Sequence, residues 1–151
     1  MSISTTHFWE PFPGPFNFLV HALQSEGYTF IFEKGMGAFS RKAENFWKNA
    51  EVVVTNPPFS AVRSIFTKIL KYNCPAILLM PLGVLTSLYF RKLFAGRMND
   101  VAIKVCRPLK FFDSNLNVTK ATLQVCFFGF KIPRVRKFEV YSHYSSLLQR
   151  N

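Results

Sequence analysis

The sequence predicts an α/β fold with a mostly parallel sheet, built by residues 1–151 as a single domain. The chain has 151 residues, of which 49% are apolar, and this length suffices for one core. Short apolar or β-branched runs alternate with segments of helical periodicity, as in sheets whose strands are joined by crossover helices. The clearest run, Val52–Thr55, is β-branched throughout, which is typical of a strand buried on both faces.

Two strands and two helices are predicted in the first third of the chain. Residues 7–12 form the first strand, which runs into a Pro-Gly-Pro turn. The next segment is a helix that ends before Gly27, because apolar side chains recur at helical spacing at Phe16, Leu19, Val20 and Leu23. Residues 28–33 form the second strand, and residues 38–47 form a second helix.

The middle of the chain contains the clearest helical pattern. Two prolines end the strand Val52–Thr55, and Ser60 is placed to cap the helix that follows. The apolar face of that helix consists of Val62, Ile65, Phe66, Ile69 and Leu70. Residues 76–80 form the next buried strand.

The remaining third combines one helix, two strands and a long loop. The helix is marked by its apolar positions and closes near Gly96; these positions are Leu85, Leu88, Tyr89 and Leu93. Strands at residues 101–106 and 122–130 flank a loop at residues 107–120, and we expect the last strand to be antiparallel. A densely basic tail begins at about residue 131.

Positive charge is concentrated in the second part of the chain. The net charge is +11, and residues 91–151 carry 12 basic and 3 acidic side chains. Such a field favours a polyanion, most simply nucleic acid, although a solubility charge or an acidic protein partner fits the same count. The candidate nucleic-acid contacts are Arg107, Lys110, Lys120, Arg134, Arg136 and Lys137.

The cysteines and histidines indicate no metal site. Cys74, Cys106 and Cys126 stand far apart in apolar stretches, without a Cys-x-x-Cys pair, and are expected to be buried free thiols in a reducing, intracellular compartment. The first residues lack the pattern of a secretion signal, and the apolar run at residues 76–80 is too short to span a bilayer. We therefore expect no metal, no membrane partner and no secretion.

The loop Asn56-Pro57-Pro58-Phe59 is the candidate for chemistry. Two consecutive prolines fix φ twice and remove two backbone donors, and a residue before proline is held extended. Asn56 is therefore held rigidly at the carboxyl end of a buried strand, where open α/β sheets bind their ligands. The Asn56 amide oxygen, nearby carbonyl oxygens and the Phe59 ring together suit a planar ring that carries an amino group. The alternative is a Pro-Pro turn without chemistry.

These residues resemble the catalytic motif of the S-adenosylmethionine-dependent N6-adenine DNA methyltransferases of phage and restriction type. The resemblance implies a Rossmann-like class I methyltransferase fold with a mostly parallel sheet and an antiparallel last strand. It implies that Asn56 and the Pro57 carbonyl accept hydrogen bonds from the target amino group. It also implies that Phe59 stacks on a flipped base, while Pro58 completes the rigid loop.

The same resemblance implies that S-adenosylmethionine binds after the first strand. Glu10, Phe12 and Gly14 match the family's glycine-containing cofactor loop. Pro15 is acceptable in the first turn of a helix, but Phe16 replaces a residue that is usually small. The Phe16 ring either occupies cofactor space or turns into the core and leaves the site open.

Two further elements of the family have counterparts. Glu33 ends the second strand, where such enzymes keep an acid for the ribose hydroxyls; the alternative is a solvated glutamate paired with Lys34. Asn45 and Phe46 resemble the Asp-Phe element near the adenine ring of the cofactor, with Asn in place of Asp. The alternative is that Phe46 and Trp47 only pack into the core.

Three functions remain open at this point. The first is methyl transfer to an exocyclic amino group, most simply adenine N6 in DNA. The second is a catalytically silent protein of the same fold that lost cofactor binding through Phe16 and serves as a basic nucleic-acid-binding or scaffold subunit. The third is methylation of RNA or of a protein glutamine. No stretch is sized for a target-recognition domain, so specificity is expected from the 107–120 loop, the basic tail or a protein partner.

Overall fold

The computed structural model describes residues 7–12, 21, 24, 29–31, 37–110, 115, 117–118, 122–132 and 138–140 of the chain. The helix predicted between Phe16 and Gly27 lies outside these residues, except for the helical positions His21 and Gln24. Every helix within the described residues is too short or too polar to cross a lipid bilayer.

Seven strands among these residues form one sheet. They are β1 (His7–Trp9), β2 (Thr29–Ile31), β3 (Val52–Thr55), β4 (Ala76–Pro81), β5 (Val101–Val105), β6 (Val125–Phe130) and β7 (Phe138–Val140). Their order across the sheet is β2-β1-β3-β4-β6-β5-β7. Neighbouring strands are parallel except where β6 runs antiparallel between β4 and β5. The predicted mostly parallel sheet with a late antiparallel strand is confirmed, and β7 is an addition that the sequence did not predict.

Within the described residues, one helix follows each of β2, β3 and β4. The helices are α1 (Ala43–Asn49), α2 (Val62–Tyr72) and α3 (Leu88–Leu93), with short 3₁₀ turns at Phe59–Ala61, Leu82–Thr86 and Met98–Asp100. The predicted apolar face of α2 is confirmed, because Val62, Ile65, Phe66 and Ile69 are buried. Gly96 lies just beyond α3 and has φ 75°, a left-handed conformation that favours glycine.

Phenylalanine rings fill the core between the sheet and the pair α2 and α3. Phe66 lies against Phe90, Phe94 and Phe128, with ring centroids 5.7, 5.0 and 4.9 Å apart, and all four side chains are buried. Burying such a side chain contributes about 1.5–3 kcal/mol to folding. The 18 phenylalanines of the sequence fit a core role or a surface role equally well, and these four are core residues.

Two predicted helix starts are wrong. Ser60 does not cap α2, because the 3₁₀ turn Phe59–Ala61 precedes the helix and Ala61 is its N-cap residue. α1 begins at Ala43, later than predicted, because the chain first turns at Ser40. The Ser40 hydroxyl then accepts a hydrogen bond from the Ala43 N–H at 3.3 Å.

The three cysteines are free thiols, as predicted, but they differ in burial. Cys74 and Cys126 are buried, which raises the pKa of Cys74 to about 11 and that of Cys126 to about 12. Both thiols are therefore protonated and unreactive near neutral pH. Cys106 was predicted to be buried but is only partly buried, because it lies just past the end of β5.

Candidate active site

Two adjacent parallel strands bring the two predicted loops together. β1 pairs with β3, and Trp9 is in register with Val53. Glu10 and Asn56, which come soon after these positions, therefore leave the sheet at the same carboxyl edge. The predicted cofactor loop and the predicted catalytic loop lie side by side where open α/β sheets bind ligands.

The loop after β3 combines a buried anchor with an exposed amide. Pro57 is buried, whereas Asn56 and Pro58 are exposed and Phe59 is half-buried. The Pro58 carbonyl accepts a hydrogen bond from the Ala61 N–H at 2.8 Å, but within the described residues the Pro57 carbonyl accepts none from the backbone. Asn56 and Pro57 thus present oxygen acceptors on a segment whose two prolines fix the backbone.

Glu10 is a buried carboxyl beside this loop. The residue is only 2% exposed, and its Oε1 accepts a hydrogen bond from the Phe12 N–H at 2.8 Å. Burial raises the pKa of Glu10 to about 7, although the Thr55 hydroxyl and the Phe12 and Asn56 N–H groups act in the opposite direction. The Thr55 hydroxyl is itself buried, and within the described residues it forms no hydrogen bond of ordinary geometry.

Aromatic side chains pack behind the Glu10 loop. Trp9 stacks on Phe46, with ring centroids 5.5 Å apart and planes inclined by 29°, and meets Trp47 edge-on at 4.8 Å. The Trp47 Nε1 donates a hydrogen bond to the Ala38 carbonyl at 2.8 Å, so the one polar group of this buried side chain has a partner. Trp47 is therefore a core residue. Phe46 is only partly buried and therefore combines core packing with an exposed portion.

Two other predicted cofactor residues lie near the same loop and on α1. Phe12 is half-buried and meets the exposed Phe39 ring edge-on, with centroids 5.8 Å apart. Asn45 is exposed, and its amide oxygen accepts a hydrogen bond from Asn49 Nδ2 at 2.8 Å. A ligand that binds the Asn45 amide oxygen competes with this bond. Glu10 and Phe12 are therefore neighbours on one loop, and Phe46 joins them through Trp9.

A cleft between α2 and α3 was missed by the sequence reasoning. Its volume is about 390 Å³, and it is lined by Arg63, Leu88, Tyr89, Lys92 and Leu93. The Arg63 guanidinium lies over the Tyr89 ring at 5.6 Å from the centroid. The sequence signal was one basic residue early in α2, Arg63, and one in the last turn of α3, Lys92. Their proximity requires the packing of α2 against α3.

The predicted nucleic-acid residues are only partly described. Arg107 and Lys110 follow β5 and are exposed, and the neighbouring Leu109 bridges to Leu123. Other predicted site residues lie outside the described residues: Gly14, Glu33, Lys120, Arg134, Arg136 and Lys137. In the part of the chain that the structure describes, no group of three His, Cys, Asp or Glu side chains is placed to hold a metal ion.

Comparison with known proteins gives matches among solved structures. No protein-family model and no curated protein sequence matches the chain. A Listeria monocytogenes protein assigned to the class I S-adenosylmethionine-dependent methyltransferases has 11% identity and a TM-score of 0.47, over 89% of this chain and 57% of that protein. The chain therefore spans little more than half the length of the Listeria protein.

Two further solved structures resemble the chain to a similar extent. Precorrin-6y C5,15-methyltransferase from Geobacter metallireducens has 10% identity and a TM-score of 0.45, over 85% of this chain and 80% of that enzyme. The M protein of the type I restriction enzyme EcoKI has 16% identity and a TM-score of 0.40, over 74% of this chain and 27% of that protein. At these identities and TM-scores the likeness says nothing of the activity.

The strand order decides the fold class. Four parallel strands in the order β2-β1-β3-β4 are continued by the antiparallel β6, which separates β4 from β5. The chain has a Rossmann-like α/β fold with one antiparallel strand in a mostly parallel sheet. Helices α1, α2 and α3 connect successive strands of this sheet, as the alternating sequence pattern predicts.

Proposed function

We propose that this protein transfers a methyl group from S-adenosylmethionine to an exocyclic amino group, namely adenine N6 in DNA. One observation carries the proposal. Asn56 presents an exposed amide on a proline-fixed loop at the carboxyl edge of the sheet, beside the buried Glu10 carboxyl. The basic balance of the chain, with a net charge of +11, supports a polyanionic substrate.

The residues around Glu10 fit the chemistry of S-adenosylmethionine. The cofactor carries an ammonium and a sulfonium group, and a buried carboxylate is complementary to positive charge. Thr55 adds a buried hydroxyl that forms no hydrogen bond of ordinary geometry within the described residues. Phe12 and Phe46 are half-buried aromatic side chains in the same neighbourhood and would hold the cofactor's adenine.

The residues of the Asn56 loop act on the target base. The Asn56 amide oxygen and the Pro57 carbonyl accept hydrogen bonds from the two amino protons, which fixes the nitrogen and directs its lone pair. Phe59 stacks on the base and holds it out of the helix. When bound, the cofactor would supply a sulfonium methyl to the amino nitrogen and would leave as S-adenosylhomocysteine, and the proton lost by the amino group would pass to water. Positioning is the main contribution, and no strong base is required.

Two measurements test the proposal. Calorimetric titration with S-adenosylmethionine, and separately with S-adenosylhomocysteine, is expected to give micromolar binding, corresponding to about −8 kcal/mol. Radiolabelled methyl transfer is then measured on DNA that contains adenine and on matched DNA that lacks it. N6-methyladenine is expected only in the first.

The same measurements separate the other functions. Absence of cofactor binding at millimolar concentration overturns the proposal and favours a silent nucleic-acid-binding or scaffold protein. Cofactor binding with transfer to RNA of the same sequence, or to a glutamine peptide, but not to DNA overturns the substrate assignment alone. Asn56→Ala in the DNA assay is the control for the catalytic loop, since full activity of this variant removes the role given to Asn56.

A further inference from the structure

The α2–α3 cleft, lined by Arg63, Leu88, Tyr89, Lys92 and Leu93, is not used by the proposed methyl transfer. Its two cations are exposed. Within the described residues, neither Arg63 nor Lys92 belongs to an ion pair. The acid Glu44 pairs instead with Lys68 and Lys71 elsewhere on α1 and α2. Two unneutralised cations in one concave site favour an anion.

The walls of the cleft favour a ligand that has an apolar part as well as a negative charge. The Tyr89 ring holds the Arg63 guanidinium at 5.6 Å from its centroid, which orients the cation toward the cleft. Leu88 is 58% exposed, although it is a large apolar side chain on a helix. A sugar or a base covers such apolar surface, whereas the phosphate next to it meets the cations. The combination fits one nucleotide unit of a strand.

The position of the cleft connects it to the Asn56 loop. α2 begins directly after the 3₁₀ turn that contains Phe59, and Arg63 is the second residue of α2. Arg63 therefore lies within about one helical turn of Phe59. Tyr89 is the second residue of α3, which follows the carboxyl end of β4 and hence lies beside the same edge of the sheet.

We propose that the α2–α3 cleft binds the sugar and phosphate of the nucleotide adjacent to the target base in a DNA strand. Arg63 and Lys92 contact the phosphate, and Tyr89 and Leu88 pack against the sugar or base. This inference rests on the proposed function for the identity of the strand. It concerns binding only, so it can be measured without cofactor and without methyl transfer.

The test is fluorescence anisotropy with a labelled single-stranded DNA of mixed sequence, titrated at several salt concentrations. The variant R63Q/K92Q removes both cleft cations. The matched control R41Q/K42Q removes the same charge from two exposed residues in the turn before α1. We expect the cleft variant to bind about tenfold more weakly and its salt slope to fall by about 0.7, the single-strand value for one phosphate. The control is expected to change affinity less than about twofold.

Each outcome supports or overturns the inference. Equal weakening by the cleft variant and the control means that the whole positive field attracts DNA, which overturns a built site. Wild-type affinity of the cleft variant, or absence of DNA binding by the wild-type protein, overturns it as well. The charge-preserving variant R63K/K92R is expected to retain most of the binding, and a melting curve of each variant excludes unfolding.

The failure of this inference differs from the failure of the proposed function. Asn56→Ala in the same binding assay is expected to bind DNA with an unchanged salt slope, because Asn56 contacts the base amino group and no phosphate. Cleft-dependent binding without any methyl transfer by the wild-type protein overturns the proposed function alone. Methyl transfer by the wild-type protein, together with unaltered binding by R63Q/K92Q, overturns the cleft assignment alone.

Discussion

The loops that follow β1 and β3 lie side by side but are built in opposite ways. After β1, the functional group of Glu10 is buried and held by backbone N–H groups. After β3, the functional group of Asn56 is exposed, and only the neighbouring Pro57 is buried. A buried charge destabilises the fold unless it is compensated, whereas an exposed amide has almost no effect on folding.

Because Glu10 is buried and Asn56 is exposed, substitutions at these two neighbouring positions are expected to have different effects on folding and on the proposed activity. Changes at Glu10 are expected to alter both the folding free energy and the cofactor site. Changes at Asn56 are expected to alter activity and leave folding intact. A Glu10 variant with unchanged folding free energy, or an Asn56 variant with altered folding free energy, contradicts this comparison.

Glu10→Gln is expected to have the largest effect. Because the pKa of Glu10 rises from 4.5 unfolded to about 7 folded, the carboxyl destabilises the fold when ionised. The free energy of unfolding therefore has its full value below about pH 4.5 and falls by roughly 3 kcal/mol as pH rises through 7. The neutral amide removes this slope and stabilises the protein at about pH 8 by up to that amount.

Chemical denaturation of wild type and variant at about pH 5 and about pH 8 measures the difference. Glu51→Gln is the control, because it makes the same substitution at an exposed carboxyl. A wild-type unfolding free energy that is equal at the two pH values contradicts the burial argument. If Glu10 also meets the cofactor, calorimetry shows weaker S-adenosylmethionine binding for the stabilised variant.

Asn56→Ala is expected to reduce methyl transfer about 100-fold, which corresponds to about 2.7 kcal/mol at the transition state. The cause is loss of the amide oxygen that fixes the target amino group. The melting temperature is expected to stay unchanged, because Asn56 is exposed. Asn56→Asp keeps an acceptor oxygen and is expected to retain most activity, while Asn99→Ala, at an exposed position in the 3₁₀ turn Met98–Asp100, is the control. A large loss of stability in Asn56→Ala contradicts the assignment.

Phe59→Ala is expected to weaken substrate binding by about tenfold, since base stacking on one ring contributes about 1–3 kcal/mol. The measurement is the KM for adenine-containing DNA, with kcat recorded separately. Phe59→Tyr preserves the ring and is expected to behave like wild type. Phe127→Ala removes an exposed phenylalanine on β6 and serves as the control. If Phe59→Ala and Phe127→Ala change KM equally, Phe59 has no stacking role.

Glu44→Gln is expected to have the smallest effect, with a pH dependence opposite to that of Glu10. The Tyr72 hydroxyl, Lys68 and Lys71 lower the pKa of Glu44 to about 2. The Tyr72 oxygen is buried and forms no hydrogen bond of ordinary geometry within the described residues, so the Lys68 contact at 3.2 Å is the firmer part of the cluster.

The stabilisation by Glu44 is present above its unfolded pKa of 4.5 and is lost as pH falls through about 2. The variant is expected to melt slightly below wild type at neutral pH, and added salt is expected to close the gap because the pair is partly exposed. Thermal melts at low and high salt measure it. A gap that persists in high salt indicates that packing, not charge, joins α1 to α2.

Local sequence patterns predicted the main strands and helices, whereas features that depend on long-range packing were not predicted. The β-branched run of β3 and the apolar face of α2 are properties of adjacent residues, so both were predicted correctly. The Ser60 cap was wrong, because the Pro-Pro segment leads into a 3₁₀ turn before the helix begins. The burial of Glu10 depends on β1 pairing with β3, and no residue near Glu10 in the sequence reports that pairing.

The same distinction applies to the candidate site. Asn56 could be proposed from the sequence, because the residues of its candidate site are four consecutive ones. The cleft that contains Arg63 and Tyr89 was missed, because these residues come from two helices separated by β4. Sites assembled across elements require the packing, whereas sites within one loop can be found in the sequence.

The insertion of β6 between β4 and β5 has a consequence for synthesis of the chain. Ala76 of β4 pairs with Phe130 of β6, so this edge of β4 stays unpaired until the ribosome has released β6. Until then, a nascent chain exposes an apolar strand that is ready to pair with another molecule. Such long-range pairing is slow to form and prone to aggregation, so β4 is the segment that chaperones are expected to protect while the chain is still being made.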